Sequence, residues 1–288
     1  MKTQLDCFSC IVRQALSAAR FAQCDEATQR KVMNRVLGAL QELPEESTPP
    51  QTATLIHHLI RDAIGNPDPY REVKARSTRE ALELYPTLKG MVAESDAPFV
   101  TAVKLAIAGN IIDLSVSDRY DLVGNVQKVL SQPLTIDDTG LLSQLIQASP
   151  WVLYLADNAG ETVFDRVLIE QIQPKRVVYV VKGGPIINDA TYSDAVAAGL
   201  DQVAEIVSTG YDTVGVMLNK INEQTQQLFE SAPVIIAKGM GNYETLSDCA
   251  DYPLFFLLQV KCDAISLDVG TPTGSLIARH GLYPAWNG

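Results

Sequence analysis

Three short polar segments carry the residues best suited to chemistry, and each directly follows an apolar run. Asp157-Asn158 comes after WVLYLA, and Lys182-Gly183-Gly184 after RVVYVV, with Asn188-Asp189 a few residues on. Lys238-Gly239 comes after PVIIA, with Gly241 close behind. Aspartate and asparagine present hard oxygens, which suit Mg²⁺ or Mn²⁺; Mg²⁺ takes one or two carboxylates and leaves positions for water and a substrate phosphate. Lys182 and Lys238 would bring positive charge, and the backbone at Gly183, Gly184, Gly239 and Gly241 would bring N–H donors to phosphoryl oxygens. Each feature alone has an ordinary explanation, since Asp-Asn after a strand commonly closes an Asx turn or caps a helix, and glycine pairs mostly make turns. Their recurrence at successive strand ends points to a site for phosphate plus a divalent metal.

The elements that must position these residues are legible as two patterns. In the first 90 or so residues, Ile11, Ala15, Ala18, Ala19, Val32, Val36 and Leu40 recur at three- and four-residue steps, the period of amphipathic helix. Prolines 44, 49, 50, 67 and 69 separate helix-length blocks such as Thr52–Ile64 and Tyr70–Tyr85. Phe99–Ala108 and, after Asp138-Thr139, Leu141–Ala148 read as further helices. Five strand-length runs rich in β-branched and aromatic residues follow, at 151–156, 176–181, 204–207, 233–237 and 253–260, with helical spacing at Glu161–Ile172 and Val214–Phe229 between them. That alternation predicts an α/β fold: a three-layer α/β/α, Rossmann-like core with a mostly parallel sheet, in residues 93–288, behind a helical amino-terminal subdomain in residues 1–92. In such sheets ligands bind at the carboxyl ends of the strands, where the polar segments fall.

Composition narrows the classes. An apolar fraction of 47% with 20% charged residues is that of a globular protein, and no uninterrupted apolar run approaches the roughly 20 residues of a membrane helix. The first residues, MKTQLDCFSC, lack the basic-then-apolar order of a secretory signal. With five cysteines, an odd and sparse count, this predicts a cytoplasmic protein with free thiols. A net charge of −11 spread along the chain disfavours nucleic acid, and no membrane partner is expected; the oligomeric state is not readable.

The segments DNAGE at 157–161, KGGPIINDAT at 182–191 and AKGMGNYETL at 237–246 resemble the damage-control phosphatases. AGNIIDL at 108–114 and FFLLQVKCD at 255–263 also look like family segments in the expected order. Cys7-Phe8-Ser9-Cys10 matches the amino-terminal Cys-x-x-Cys of the short prokaryotic branch. The resemblance implies an α/β/α core and a metal-dependent phosphatase acting on small or damaged phosphometabolites, with sugar phosphates and phosphopantetheine-type compounds as substrate classes. It implies Mg²⁺ or Mn²⁺, with Co²⁺ and Ni²⁺ also admissible, held by Asp157, Asn158 and Asp189. It also gives Lys238 a phosphate-contacting role, and Asn110, Asp113, Glu161, Asn188 and Glu244 pocket or supporting roles. Metal-bound water and the Asp157 carboxylate are both chemically available as nucleophile.

Two rival readings stand beside this one. YLADNAG could be the first turn of a nucleotide- or S-adenosylmethionine-dependent transferase, but it lacks G-x-G-x-x-G, and lysines at strand ends suit a phosphoryl group better than a sulfonium. A non-enzymatic metal or redox sensor built on Cys7 and Cys10 would leave the strand-end residues unexplained; two thiols make half a zinc site, and a helical CxxC is more often a buried pair. His57, His58 and His280 fall away from the strand ends and are expected in ordinary packing or surface roles.

Overall fold

The computed structural model describes residues 2–109, 122–173 and 175–281. Asn110 and Asp113, expected at the pocket, lie outside the described residues.

The amino-terminal pattern folds as expected into α1 (Leu5–Phe21), α2 (Glu26–Gln41) and α3 (Pro49–Ile64). Local chemistry sets their ends. The Asp25 carboxylate accepts the Thr28 N–H at the start of α2, and Thr48 with Gln51 forms a capping box ahead of the paired prolines that open α3. Gly65, in the left-handed conformation, closes α3. The apolar stripes meet in a core of their own, Ile11, Ala15, Val32, Val36, Ile56, Ile60 and Tyr70 among them.

That separate core closes at Tyr70, short of the expected boundary at 92. The next helix, α4 (Arg71–Ala93), instead lays Ala81, Leu88 and Val92 into the large core over the sheet. It also runs through Pro86, past the expected end at Tyr85. The remaining elements are α5 (Pro98–Ala108), α6 (Leu122–Ser131), β1 (Leu134–Asp137), α7 (Thr139–Ala148), β2 (Trp151–Leu155), α8 (Thr162–Ile172), β3 (Arg176–Val181) and α9 (Tyr192–Ala197). They continue with β4 (Glu205–Ser208), α10 (Glu223–Ser231), β5 (Ile235–Lys238), α11 (Gly239–Leu246), β6 (Leu254–Gln259), α12 (Asp263–Val269) and β7 (Leu276–His280).

The seven strands form one sheet in the order β1-β7-β6-β5-β2-β3-β4. β6, β5, β2, β3 and β4 are mutually parallel, whereas β7 runs antiparallel to β6. Alternate residues of each strand serve opposite faces. Val152, Tyr154, Val177, Tyr179, Ile236 and Phe255 face α4 to α9, while Leu153, Leu155, Val178, Ile235 and Phe256 face α10 to α12. The core is therefore three-layered and mostly parallel, as the strand–helix alternation predicted.

Two strands were not expected from the sequence. β1 is a four-residue edge strand of alternating exposure, and it pairs with β7 in parallel across more than 130 residues of chain. Asp138, expected as a helix cap, spans that junction instead: its carboxylate accepts the His280 N–H at 2.7 Å. Asp137 takes over at the helix start, accepting from the Thr139 N–H and hydroxyl. The helix expected over Val214–Phe229 begins only at Glu223, where Asn222 caps it. Gly215 is left-handed, with φ +67°, and a Cβ there would lie 2.3 Å from the Gly241 carbonyl oxygen, so this stretch is a loop pressed onto the start of α11.

Candidate active site

The turn after β2 and the loop after β3 are stitched together by backbone. The Ala190 N–H donates to the Asp157 carbonyl at 2.8 Å and the Ala159 N–H to the Asn188 carbonyl at 2.9 Å, making an isolated antiparallel bridge between Asn158 and Asp189. Residues separated by some 30 positions thereby meet at one point of the sheet edge. Asn188 contributes here through its main chain.

The charges are close enough to sense each other. Burial first, then the charge of Asp189, pushes the Asp157 carboxyl up to about 7, while Lys238, Lys261 and Lys182 pull it back. Burial likewise pushes Asp189 up to about 6 against the pull of Lys182. Gly239 closes the other side of Asp157: its φ is +78°, and a Cβ built on it would fall 1.8 Å from Asp157 Oδ2. Any side chain at that position is excluded by geometry and by backbone conformation.

Asn158 is oriented by its neighbours. Its Nδ2 donates to Glu161 Oε1 at 2.6 Å and to Asp157 Oδ2 at 3.2 Å. A flipped amide would set its oxygen against two carboxylates, so Oδ1 is the atom turned to the site. Asp157, Asn158 and Asp189 thus present two carboxylates and one amide oxygen, a donor set that fits a Mg²⁺- or Mn²⁺-type ion retaining several waters. Among the described residues no group of three or more His, Cys, Asp and Glu side chains is arranged to hold a metal.

The lysines depart from expectation. Lys238 is fully buried, its Nζ 2.7 Å from Asp165 Oδ1 and 3.1 Å from Glu161 Oε2. Lys182 is 3% exposed; its Nζ donates to the Gly215 carbonyl at 2.7 Å and lies 3.5 Å from Asp189 Oδ2. Each ammonium is enclosed by anionic or carbonyl oxygens, because a buried cation with spare donors would be costly. In these surroundings both ammoniums hold carboxylates in place. The Gly183 N–H is given to the Tyr211 carbonyl at 2.8 Å. Gly239 and Gly241, by contrast, start α11, where backbone N–H groups have no partner within the helix. Gly184 faces Asp212, with a Cβ built on it 3.3 Å from that side chain.

Two residues the sequence reading passed over belong here. Lys261 is exposed and follows β6, the position relative to its strand that singled out Lys182; its charge is felt by both Asp157 and Glu161. The strand-end rule would have found it. Asp165 lies one helical turn beyond Glu161, and that i, i+4 spacing was its only signal.

Other elements form the rim. Glu244 on α11 is pushed up to about 7 by burial and by the charge of Asp157. From α3, Arg61 donates to the Pro185 carbonyl and to Asp212 Oδ2, and His58 Nε2 sits 3.1 Å from the Asp212 carbonyl. His57 is buried beside Gln14, at 3.3 Å, and the ring of His280 packs on Phe255. Cys7 and Cys10 are half-buried free thiols at the start of α1; burial raises the Cys7 thiol, and Glu244 and Cys262 add to it.

The sequence model of the damage-control phosphatase ARMT1-like domain matches residues 3–277 of this chain. The chain belongs to that family. Among its curated relatives, a protein of Pyrococcus horikoshii named damage-control phosphatase PH1575 is 38% identical, with 98% of this chain and 99% of the relative covered. A damage-control phosphatase of Archaeoglobus fulgidus is 35% identical over 97% of this chain and 99% of its own. The crystal structure of the PH1575 protein, described there as a DUF89 family member, superposes with a TM-score of 0.91 at 37% identity, covering 98% of this chain and 99% of that one. The damage-control phosphatase fold therefore extends over helical part and sheet alike.

Proposed function

We propose that this protein is a metal-dependent phosphatase that hydrolyses phosphate monoesters of small or damaged phosphometabolites in the cytoplasm, with sugar phosphates and phosphopantetheine-like compounds as substrate classes. The observation that carries the reading is the meeting of Asp157, Asn158 and Asp189 at the carboxyl edge of the sheet in a member of this family. Those three residues would hold Mg²⁺ or Mn²⁺, or in their place Co²⁺ or Ni²⁺. The ion would supply polarisation of a phosphoryl oxygen.

The chain itself supplies the rest. Lys261, exposed just beyond β6, and the N–H groups that open α11 would face the phosphoryl oxygens, so that positioning and electrostatics carry the rate. Lys182 and Lys238 hold Asp189 and Glu161 in place and oppose the upward push that burial gives both carboxyls. Arg61, Asp212 and Glu244 stand at the rim, where the substrate's non-reacting part would lie.

The test uses chelated full-length protein with p-nitrophenyl phosphate and a sugar-phosphate panel, with and without Mg²⁺, Mn²⁺, Co²⁺ and Ni²⁺. Phosphate release is expected only with metal, and Asp157→Ala, folded by circular dichroism, is expected to lose it by at least about a thousandfold. Metal-independent release, or full activity in the folded variant, would overturn the ligand assignment.

A further inference from the structure

Beneath the site lies a polar cradle that the reaction as outlined does not use. Tyr154 on β2 and Tyr179 on β3 are register partners, and their rings stack with centroids 5.3 Å apart. Both are fully buried, and both hydroxyls donate to Asp165 at 2.7 Å, one to each carboxylate oxygen. Asp165 is itself 0% exposed and takes a third donor, Lys238 Nζ, at 2.7 Å. A core at these positions needs no polar atoms: replacing buried ion pairs by apolar residues of similar volume is often neutral or stabilising. A buried carboxylate holding three donors therefore calls for a reason beyond packing.

The reason is visible in what Lys238 does next. Its Nζ also binds Glu161 Oε2, and Glu161 Oε1 accepts the Asn158 amide that must turn its oxygen to the site. The chain of contacts runs Tyr154 and Tyr179, Asp165, Lys238, Glu161, Asn158, with every side-chain link between 2.6 and 3.1 Å. Asp165 fixes how deep the ammonium sits. Without it, the one cation between two carboxylates would settle on Glu161 alone and release that side chain from its grip on Asn158.

We propose that Asp165, set by Tyr154 and Tyr179, is a positioning residue for the metal site, acting through Lys238 and Glu161 to hold the Asn158 amide in its ligating orientation. This rests on the metal-dependent reading above. Partners one step removed from metal ligands typically change metal affinity by about 10- to 100-fold when lost, and Asp165 is expected to act in that range.

The measurement is Mn²⁺ affinity, from the electron paramagnetic resonance signal of free Mn²⁺ titrated into chelated full-length protein, well below the melting temperature of each variant. Asp165→Asn is expected to weaken Mn²⁺ binding by about 10- to 100-fold, and Tyr154→Phe and Tyr179→Phe by less. Excess Mn²⁺ is expected to restore turnover in the tyrosine variants. If Asp165→Asn fails to fold, the tyrosine variants carry the test. Lowered melting temperatures with wild-type Mn²⁺ affinity would reduce the cradle to a structural role and overturn the proposal. Wild-type protein that binds no Mn²⁺ would overturn the metal-dependent reading itself, and this inference with it.

Discussion

Two buried titratable side chains in this molecule meet the cost of burial in opposite ways. Lys238, under the sheet edge, keeps its charge: Asp165 and Glu161 raise its affinity for the proton against the effect of burial. His57, in the helical part, gives up its charge: burial, with Arg61 and His58 nearby, lowers it to about 3, and it sits neutral beside Gln14. Pairing demands that several groups stay in fixed mutual geometry, whereas neutrality demands only that protons stay away. The first solution fits a floor that must hold the strand-end side chains still. The second fits a roof helix whose task is packing.

The comparison is open to direct attack. The largest effect is expected at Lys238→Met, which leaves two buried carboxylates without a cation and should cost about 3–5 kcal/mol in urea denaturation. A loss below about 1 kcal/mol would mean that the floor is not a paired network in solution. Next comes pH. His57 has a folded value below its ordinary 6.5, so the stability it lends is present above pH 6.5 and is lost as pH falls toward about 3. Within that window the unfolded chain binds the extra proton, and stability should fall by up to about 1.4 kcal/mol per pH unit. His57→Gln should flatten that slope in thermal melts across the series; an unchanged slope would show that the histidine is not kept neutral. The smallest effect is expected at the rim. Arg61→Ala breaks a partly exposed pair with Asp212 and should cost less than about 1 kcal/mol, while shifting KM for phosphorylated substrates more than kcat. A stability loss of Lys238 size would move Arg61 from rim to floor.

Where the candidate site lies was more legible in the sequence than what surrounds each of its residues. Asp157, Asn158 and Asp189 were legible because hard oxygens after strands stand out from an apolar background, and the structure brings them together across one bridge. The jobs of the lysines were not legible, because Lys182, Lys238 and Lys261 all follow or end strands and differ only in what surrounds them. Tyr154, Tyr179 and Asp165 fall inside segments legible only as strands and helix, since only tertiary folding lays the two hydroxyls on one carboxylate.

What the sequence by itself determined is the local grammar: caps at Asp25 and Thr48, the helical period up to Tyr70, five apolar runs that became parallel strands, and the polar residues that punctuate them. These follow from propensity and periodicity, which act over a few residues. Tertiary structure alone decided what depends on distant partners. β1 and β7 exist because they pair with each other, and β7 with β6. Lys238 is an internal counter-ion and not an exposed one because Asp165 and Glu161 close over it. Burial makes this ammonium group a strut between two carboxylates, and burial is set by the whole fold.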